Sequence, residues 1–110
     1  MVVVTLFENT AKEIVALEVS GHAGYADLGQ DIVCSAVSIL TINTVNSISQ
    51  LLGIMLQPES DSGLLKCQFP QQTNQVLQEK MQLLLQAMSL GLHGIEDNYK
   101  DFVHVNRVYV

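Results

Sequence analysis

From Ile32 to Pro58 the chain carries no Asp, Glu, Lys, Arg or His, and no other stretch limits the fold so strongly. A helix of that length can cross a bilayer. Yet the stretch also holds Ser35, Ser38, Thr41, Asn43, Thr44, Asn46, Ser47, Ser49 and Gln50. Placing so many polar groups in hydrocarbon is costly. The better reading is a helix covered on several sides within a globular domain, or one in close contact with a second subunit. With 110 residues, 48% of them hydrophobic, the chain has material for one core and needs no disulfide or metal staple. The expectation is a single domain, 1–110.

Around this helix the patterning gives short, alternating elements. Val2–Phe7 is a β-branched run, and Glu13–Ser20 alternates apolar and polar positions, so the two form a hairpin. Asp31 is read as the N-cap of the uncharged helix, and Gly53 as its C′ residue. Ile54–Glu59 and Leu64–Phe69 form a second hairpin across Ser-Asp-Ser-Gly. Leu65, Cys67 and Phe69 share one face of it. Gln71–His93 is the second helix, with Val76, Leu77, Met81, Leu84, Leu85 and Met88 as its apolar stripe and Gly91 and Gly94 at a frayed end. Phe102–Val110 closes as a strand. The order ββαββαβ predicts an α+β domain, a largely antiparallel sheet covered by two helices.

Charge narrows the function. Eleven acidic against five basic residues give a net charge of −6. Phosphate contacts need clustered Lys and Arg, and aromatic residues for base stacking are few, so direct nucleic-acid binding is not expected. An acidic domain attracts a basic protein instead. The N-terminal segment lacks a basic region followed by an apolar one and a small-residue cleavage site. The reading is therefore a cytoplasmic protein with reduced thiols and no membrane partner.

The chemistry concentrates in Gly21–Ser38, Gly-His-Ala-Gly-Tyr-Ala-Asp-Leu-Gly-Gln-Asp-Ile-Val-Cys-Ser-Ala-Val-Ser. With Asp31 as cap, Cys34 falls in the first helical turn, where unpaired N–H groups and the dipole favour an anion and a thiol gains thiolate character. His22 lies upstream in a segment with Gly21, Gly24 and Gly29, which gives the backbone freedom to bring the imidazole to the sulfur. A Cys–His pair suffices for acyl transfer. Ser38 stands one turn beyond Cys34 on the same helix face. Against this, a free Cys is commonly a small buried hydrophobe, and the Asp31 carboxylate opposes a nearby thiolate. Cys67 reads as core, and His93 suits a helix C-terminus. No metal is expected, because neither CxxC nor HxxxH spacing is present. No glycine pattern supports a nucleotide. Two functions therefore stay open from the residues alone: a Cys34/His22 endopeptidase, and a non-catalytic acidic module that binds a basic protein.

These residues resemble the ribosomal-processing cysteine protease family, Prp. The resemblance rests on Gly21-His22-Ala23, the glycines Gly24 and Gly29, Asp31-Ile32-Val33-Cys34, the small pair Ser35-Ala36, and Val37-Ser38. Beyond this motif it is architectural, in length and element order. It implies a homodimeric, cofactor-free cysteine endopeptidase with Cys34 as nucleophile and His22 as general acid/base. Asp31 and Ser38 would support the site. The segment Gly21–Gln30, including Ala23, would reorganise around substrate. The implied substrate is the precursor of large-subunit ribosomal protein twenty-seven, cut after a Phe-Phe-like sequence in its N-terminal extension. Phage structural proteins with similar extensions are implied for some family members.

Overall fold

Alternation in the first strand sets the layer structure. In β1 (Val2–Glu8) the side chains of Val2, Val4, Leu6 and Glu8 are buried, while Val3, Thr5 and Phe7 face the other side. A computed structural model describes residues 1–21, 28–61 and 63–110, with the backbone alone for 28–31. β2 (Ile14–Ser20) returns antiparallel to β1. The turn between them is fixed by Asn9, whose Oδ1 accepts from the N–H groups of Ala11 and Glu13 at 3.0 Å each. The uncharged stretch forms α1 (Leu28–Leu52). β3 (Glu59–Asp61) and β4 (Leu64–Gln68) make the second hairpin, α2 (Gln75–Asn98) follows, and β5 (Val103–Tyr109) ends the fold.

The sheet order is β3-β4-β2-β1-β5. Pairing is antiparallel at β1–β2, β2–β4 and β3–β4. It is parallel at β1–β5, so the sheet is mixed. The core lies between the sheet and the two helices. It joins Val4, Leu6, Ile14 and Leu17 to Val33, Val37 and Ile48 of α1 and to Met81, Leu85, Met88 and Leu92 of α2. The helices touch closely where Gly91 meets Leu40, since a β-carbon at Gly91 would lie 2.7 Å from Leu40 Cδ2. By length and composition Ile32–Leu52 could cross a membrane. Here Val33, Val37, Thr41, Thr44, Val45 and Ile48 of that helix are buried in the domain.

The α+β class and element order match the expectation, and several boundaries move. α1 begins at Leu28, so Asp31 is its fourth residue and not its N-cap. A glycine at position 29 breaks no ladder there, because the first four N–H groups of a helix have no intrahelical partner anyway. Gly53 does follow the helix in the left-handed region, φ +67°, with its N–H on Ser49 O at 3.1 Å. β3 shrinks to three residues. Ile54 is drawn into the core and Met55 is 83% exposed, so the chain there descends from the helix layer to the sheet edge and pairs only beyond Pro58. α2 starts after Asn74, whose Oδ1 caps Leu77 N–H at 3.0 Å. It also runs through Gly91 and Gly94, since packing outweighs a glycine cost of about 1 kcal/mol. Val76 is 59% exposed and leaves the stripe, and the buried Gln78 joins it.

Candidate active site

Cys34 is the seventh residue of α1. That is beyond the first turn, so the unpaired N–H groups and the dipole that act on a first-turn thiol do not apply to it. Cys34, Ser38, Thr41 and Ile42 fall on one side of α1 by the i, i+4, i+7, i+8 spacing. Together they line a hollow of about 130 Å³. Val2, Val19 and Gly21 close it from the ends of β1 and β2, and Ser60, Asp61, Gly63, Leu64 and Leu65 close it from the β3–β4 hairpin. Val2, Val19, Ile42, Leu64 and Leu65 give it an aliphatic wall, and Ser38, Thr41, Ser60 and Asp61 add polar groups. Cys34 is partly exposed. Thr41 Oγ1 donates to Val37 O at 2.8 Å, which satisfies the hydroxyl within the helix.

Gly21 marks where the chain leaves β2 for the motif. Its φ is +86°, and a β-carbon there would collide with the carbonyl oxygen of Met1. Only glycine fits, for both reasons. His22, Ala23 and Gly24 of the motif lie outside the described residues. Gly29 falls in the backbone of the first turn of α1, and Asp31 follows it there.

A larger groove of about 950 Å³ lies on the uncovered face of the sheet, bordered by Phe7, Glu18, Met55, Gln57, Lys66 and Gln68. Cys67 is among its lining residues but is buried, and burial pushes its thiol up to about 11. Its place in the core is as the strand pattern predicts.

The other histidines stand in a separate polar cluster. His93 lies inside α2 and not in its last turn, with Nδ1 3.6 Å from Glu96. His104 Nδ1 approaches Glu96 from β5 at 3.4 Å. Glu96 also accepts from Val105 N–H at 2.7 Å. Arg107 pairs with the buried Glu8 and donates to Ser89 Oγ. These contacts tie α2 to the β5–β1 edge and have a structural role. Among the described residues no group of three His, Cys, Asp or Glu side chains is placed to hold a metal ion.

Sequence reasoning passes over Asp61. Ser-Asp-Ser-Gly carries an ordinary turn signal, and nothing local reveals that Ser60, Asp61 and Gly63 line the same hollow as Cys34. Only the pairing of β4 with β2 brings them there.

Solved structures with this architecture share its class. The crystal structure of SMU.848 from Streptococcus mutans covers 100% of this chain and 96% of its own, with a TM-score of 0.83 and 33% identity. The Staphylococcus aureus ribosomal processing protease Prp, solved with a covalently linked product peptide, has a TM-score of 0.82 and 27% identity, over 97% of this chain and 99% of that one. The same protease with a substrate peptide has a TM-score of 0.84 and 25% identity over the same shares. Fold and likeness define a cysteine protease.

The family follows from the sequence matches. The profile of the family described as "Cysteine protease Prp" spans residues 1–104. The ribosomal processing cysteine protease Prp of Bacillus subtilis (strain 168) is 34% identical over 107 residues, 96% of each chain. This chain belongs to the Prp family of cysteine proteases. The non-catalytic module therefore gives way to the enzyme.

Proposed function

We propose that this protease removes the N-terminal extension from the precursor of large-subunit ribosomal protein twenty-seven, cutting after a Phe-Phe-like sequence and so maturing the ribosome. The observation that carries the reading is Cys34, partly exposed on the wall of a hollow of about 130 Å³ that Val2, Val19, Ile42, Leu64 and Leu65 line in part. Such a hollow suits one bulky apolar side chain next to the scissile bond. The relatives named as ribosomal processing proteases, one of them solved with substrate peptide, support the substrate class. The net charge of −6 favours encounter with a basic ribosomal protein.

In this mechanism the Cys34 thiolate attacks the carbonyl carbon of the scissile bond, and His22 holds the proton taken from the thiol. His22 then protonates the leaving amine, which departs as the new N-terminus. Water, activated by the same imidazole, hydrolyses the thioester and frees the extension. Asp31 and Ser38 support the site, and Gly21–Gln30, with Ala23, Gly24 and Gly29, reorganises on substrate binding to admit the peptide and position His22. The enzyme works in the cytoplasm as a homodimer, without cofactor, nucleic acid or membrane.

The test is intact-mass spectrometry of an extended precursor incubated under reducing conditions with the native protein and with Cys34→Ala. A single N-terminal truncation with the native protein alone is expected. Truncation by both, or by neither, overturns the assignment of this nucleophile or this substrate.

A further inference from the structure

The groove of about 950 Å³ on the uncovered face of the sheet takes no part in the mechanism above. We infer that it is an exosite for the substrate, which binds the basic chain beyond the cut while the cut itself lies at Cys34. The inference rests on the function proposed above and gives the same substrate a second contact.

Register explains the chemistry of the groove. On the open face Phe7, Ala16 and Gln68 stand side by side on β1, β2 and β4, with Val108 of β5 beyond Phe7. Two residues along, Glu18, Lys66 and Glu59 form the next row across β2, β4 and β3. An apolar row and a charged row thus lie about 7 Å apart. Both helices pack on the opposite face, and Phe7 stays half-buried. Met55, 83% exposed, and Val110, 66% exposed, also line the groove. Apolar side chains left open in a concave surface with a polar rim mark a place where another chain binds.

The charged row sets the sign of that chain. Lys66 lies 3.8 Å from Glu18, and with this pair intact Glu59 leaves the row net negative. The whole protein carries −6. A cationic side chain over the row is attracted by both, so the occupant is basic as well as apolar. A second copy of this acidic chain brings the wrong sign. The mature part of a ribosomal protein brings the right one.

The groove also adjoins the hollow beside Cys34. β3 gives Ser60 to the hollow and Glu59 to the groove, β4 gives Leu65 and Lys66, and β2 gives Val19 and Glu18. Neighbouring residues of a strand face opposite sides, so the two cavities back onto one another through the sheet. From Val19 to Ala16 is about 10 Å along β2, and passing from one face to the other adds about 10 Å. About six extended residues therefore reach from the cut to the groove.

The experiment measures kcat and KM under reducing conditions for two precursor peptides with the same extension, ending about four and about fifteen residues past the cut. The enzymes are the native protein, Glu59→Lys, Gln68→Lys and Glu79→Lys. The native protein should take the long peptide at a KM about tenfold below that of the short one with similar kcat, because the groove binds substrate remote from the reacting bond. Glu59→Lys and Gln68→Lys should each remove most of that preference. Glu79→Lys, the same change of charge on an exposed residue of α2 outside the groove, should keep it. Salt at about 0.5 M should weaken it in the native protein. Equal KM values for the two peptides overturn the exosite and leave the protease standing. An equal loss in Glu79→Lys makes the attraction a property of net charge and overturns the groove. A lower KM gained only by lengthening the extension overturns the assignment to the chain beyond the cut. A changed sedimentation coefficient for Glu59→Lys or Gln68→Lys makes the groove an interface between copies instead. Cleavage of neither peptide removes the substrate proposed above, and the exosite with it.

Discussion

Gly21 shows how one atom can decide a site. The motif Gly21-His22-Ala23 is readable in the sequence, but the reason for its glycine is not, because the carbonyl that excludes a side chain belongs to Met1, which precedes the neighbouring strand β1. Gly21→Ala has to relieve both the collision and a φ of +86°, at a cost of about 1–3 kcal/mol. Thermal unfolding should show that loss, and peptide cleavage should fall further than stability does, since the distortion enters at the wall of the hollow. The two thiols make a second contrast. Cys67 is buried with its thiol pushed up to about 11, whereas Cys34 opens onto the hollow. Iodoacetamide at pH 7.5 should therefore label Cys34 first, followed by peptide mass mapping, and Cys67 only after unfolding. Equal rates in the folded protein would contradict the burial. Cys34 itself is legible as the candidate nucleophile by its motif. Its setting is not, because the helix start depends on three residues, Leu28, Gly29 and Gln30, whose local signal resembles a loop.

On α2 the polar residues reveal more than the apolar stripe. Gln78, Gln82 and Gln86 recur at every fourth position and all reach the turn between β1 and β2. Gln82 donates to Ile14 O at 2.8 Å and accepts from Ile14 N–H at 2.9 Å, so it serves as a strand partner for that residue. Gln82→Leu strips both backbone groups of their partner and should destabilise by about 2 kcal/mol, read as a lower urea midpoint with unchanged slope. Gln86, at 3.5 Å from Lys12 O and exposed, should tolerate Ala. Gln78 Nε2 donates to Glu13 at 2.9 Å. That bond, with a smaller share from Asn9, lowers the Glu13 carboxyl below its usual range. Its contribution is present above the unfolded carboxylate pKa and is lost as pH falls through the lowered folded value. At the far end of the helix, a β-carbon added at Gly94 would meet only open space, so Gly94→Ala should stabilise by about 0.5–1 kcal/mol. These glutamines are invisible to a search for apolar periodicity, which is why spacing alone puts Val76 in the stripe and leaves Gln78 out of it.

For the whole molecule, class and element order follow from hydrophobic periodicity and turn residues. The sheet order does not, since nothing in Val103–Tyr109 names β1 as its neighbour or makes the pairing parallel. The uncharged helix is legible as a constraint, and the structure explains half of it. One side of α1 enters the core; the other shows Ile39 70% exposed, with Ile32 and Ile42 also open to solvent and Asn43 and Asn46 beside them. A chain with a net charge of −6 repels its own copies over most of its surface. A face with apolar side chains and no charge is where that repulsion is weakest and burial gains most. The proposed homodimer is therefore expected to close across α1, with the amides of Asn43 and Asn46 paired between protomers. Asn43→Asp or Asn46→Asp would bury a like charge against its symmetry mate, because a two-fold interface doubles every substitution. Sedimentation velocity should show the native protein as dimers and these variants as monomers, with circular dichroism unchanged because both side chains are exposed in the single chain. Variants that sediment with the native protein would move the dimer surface away from α1.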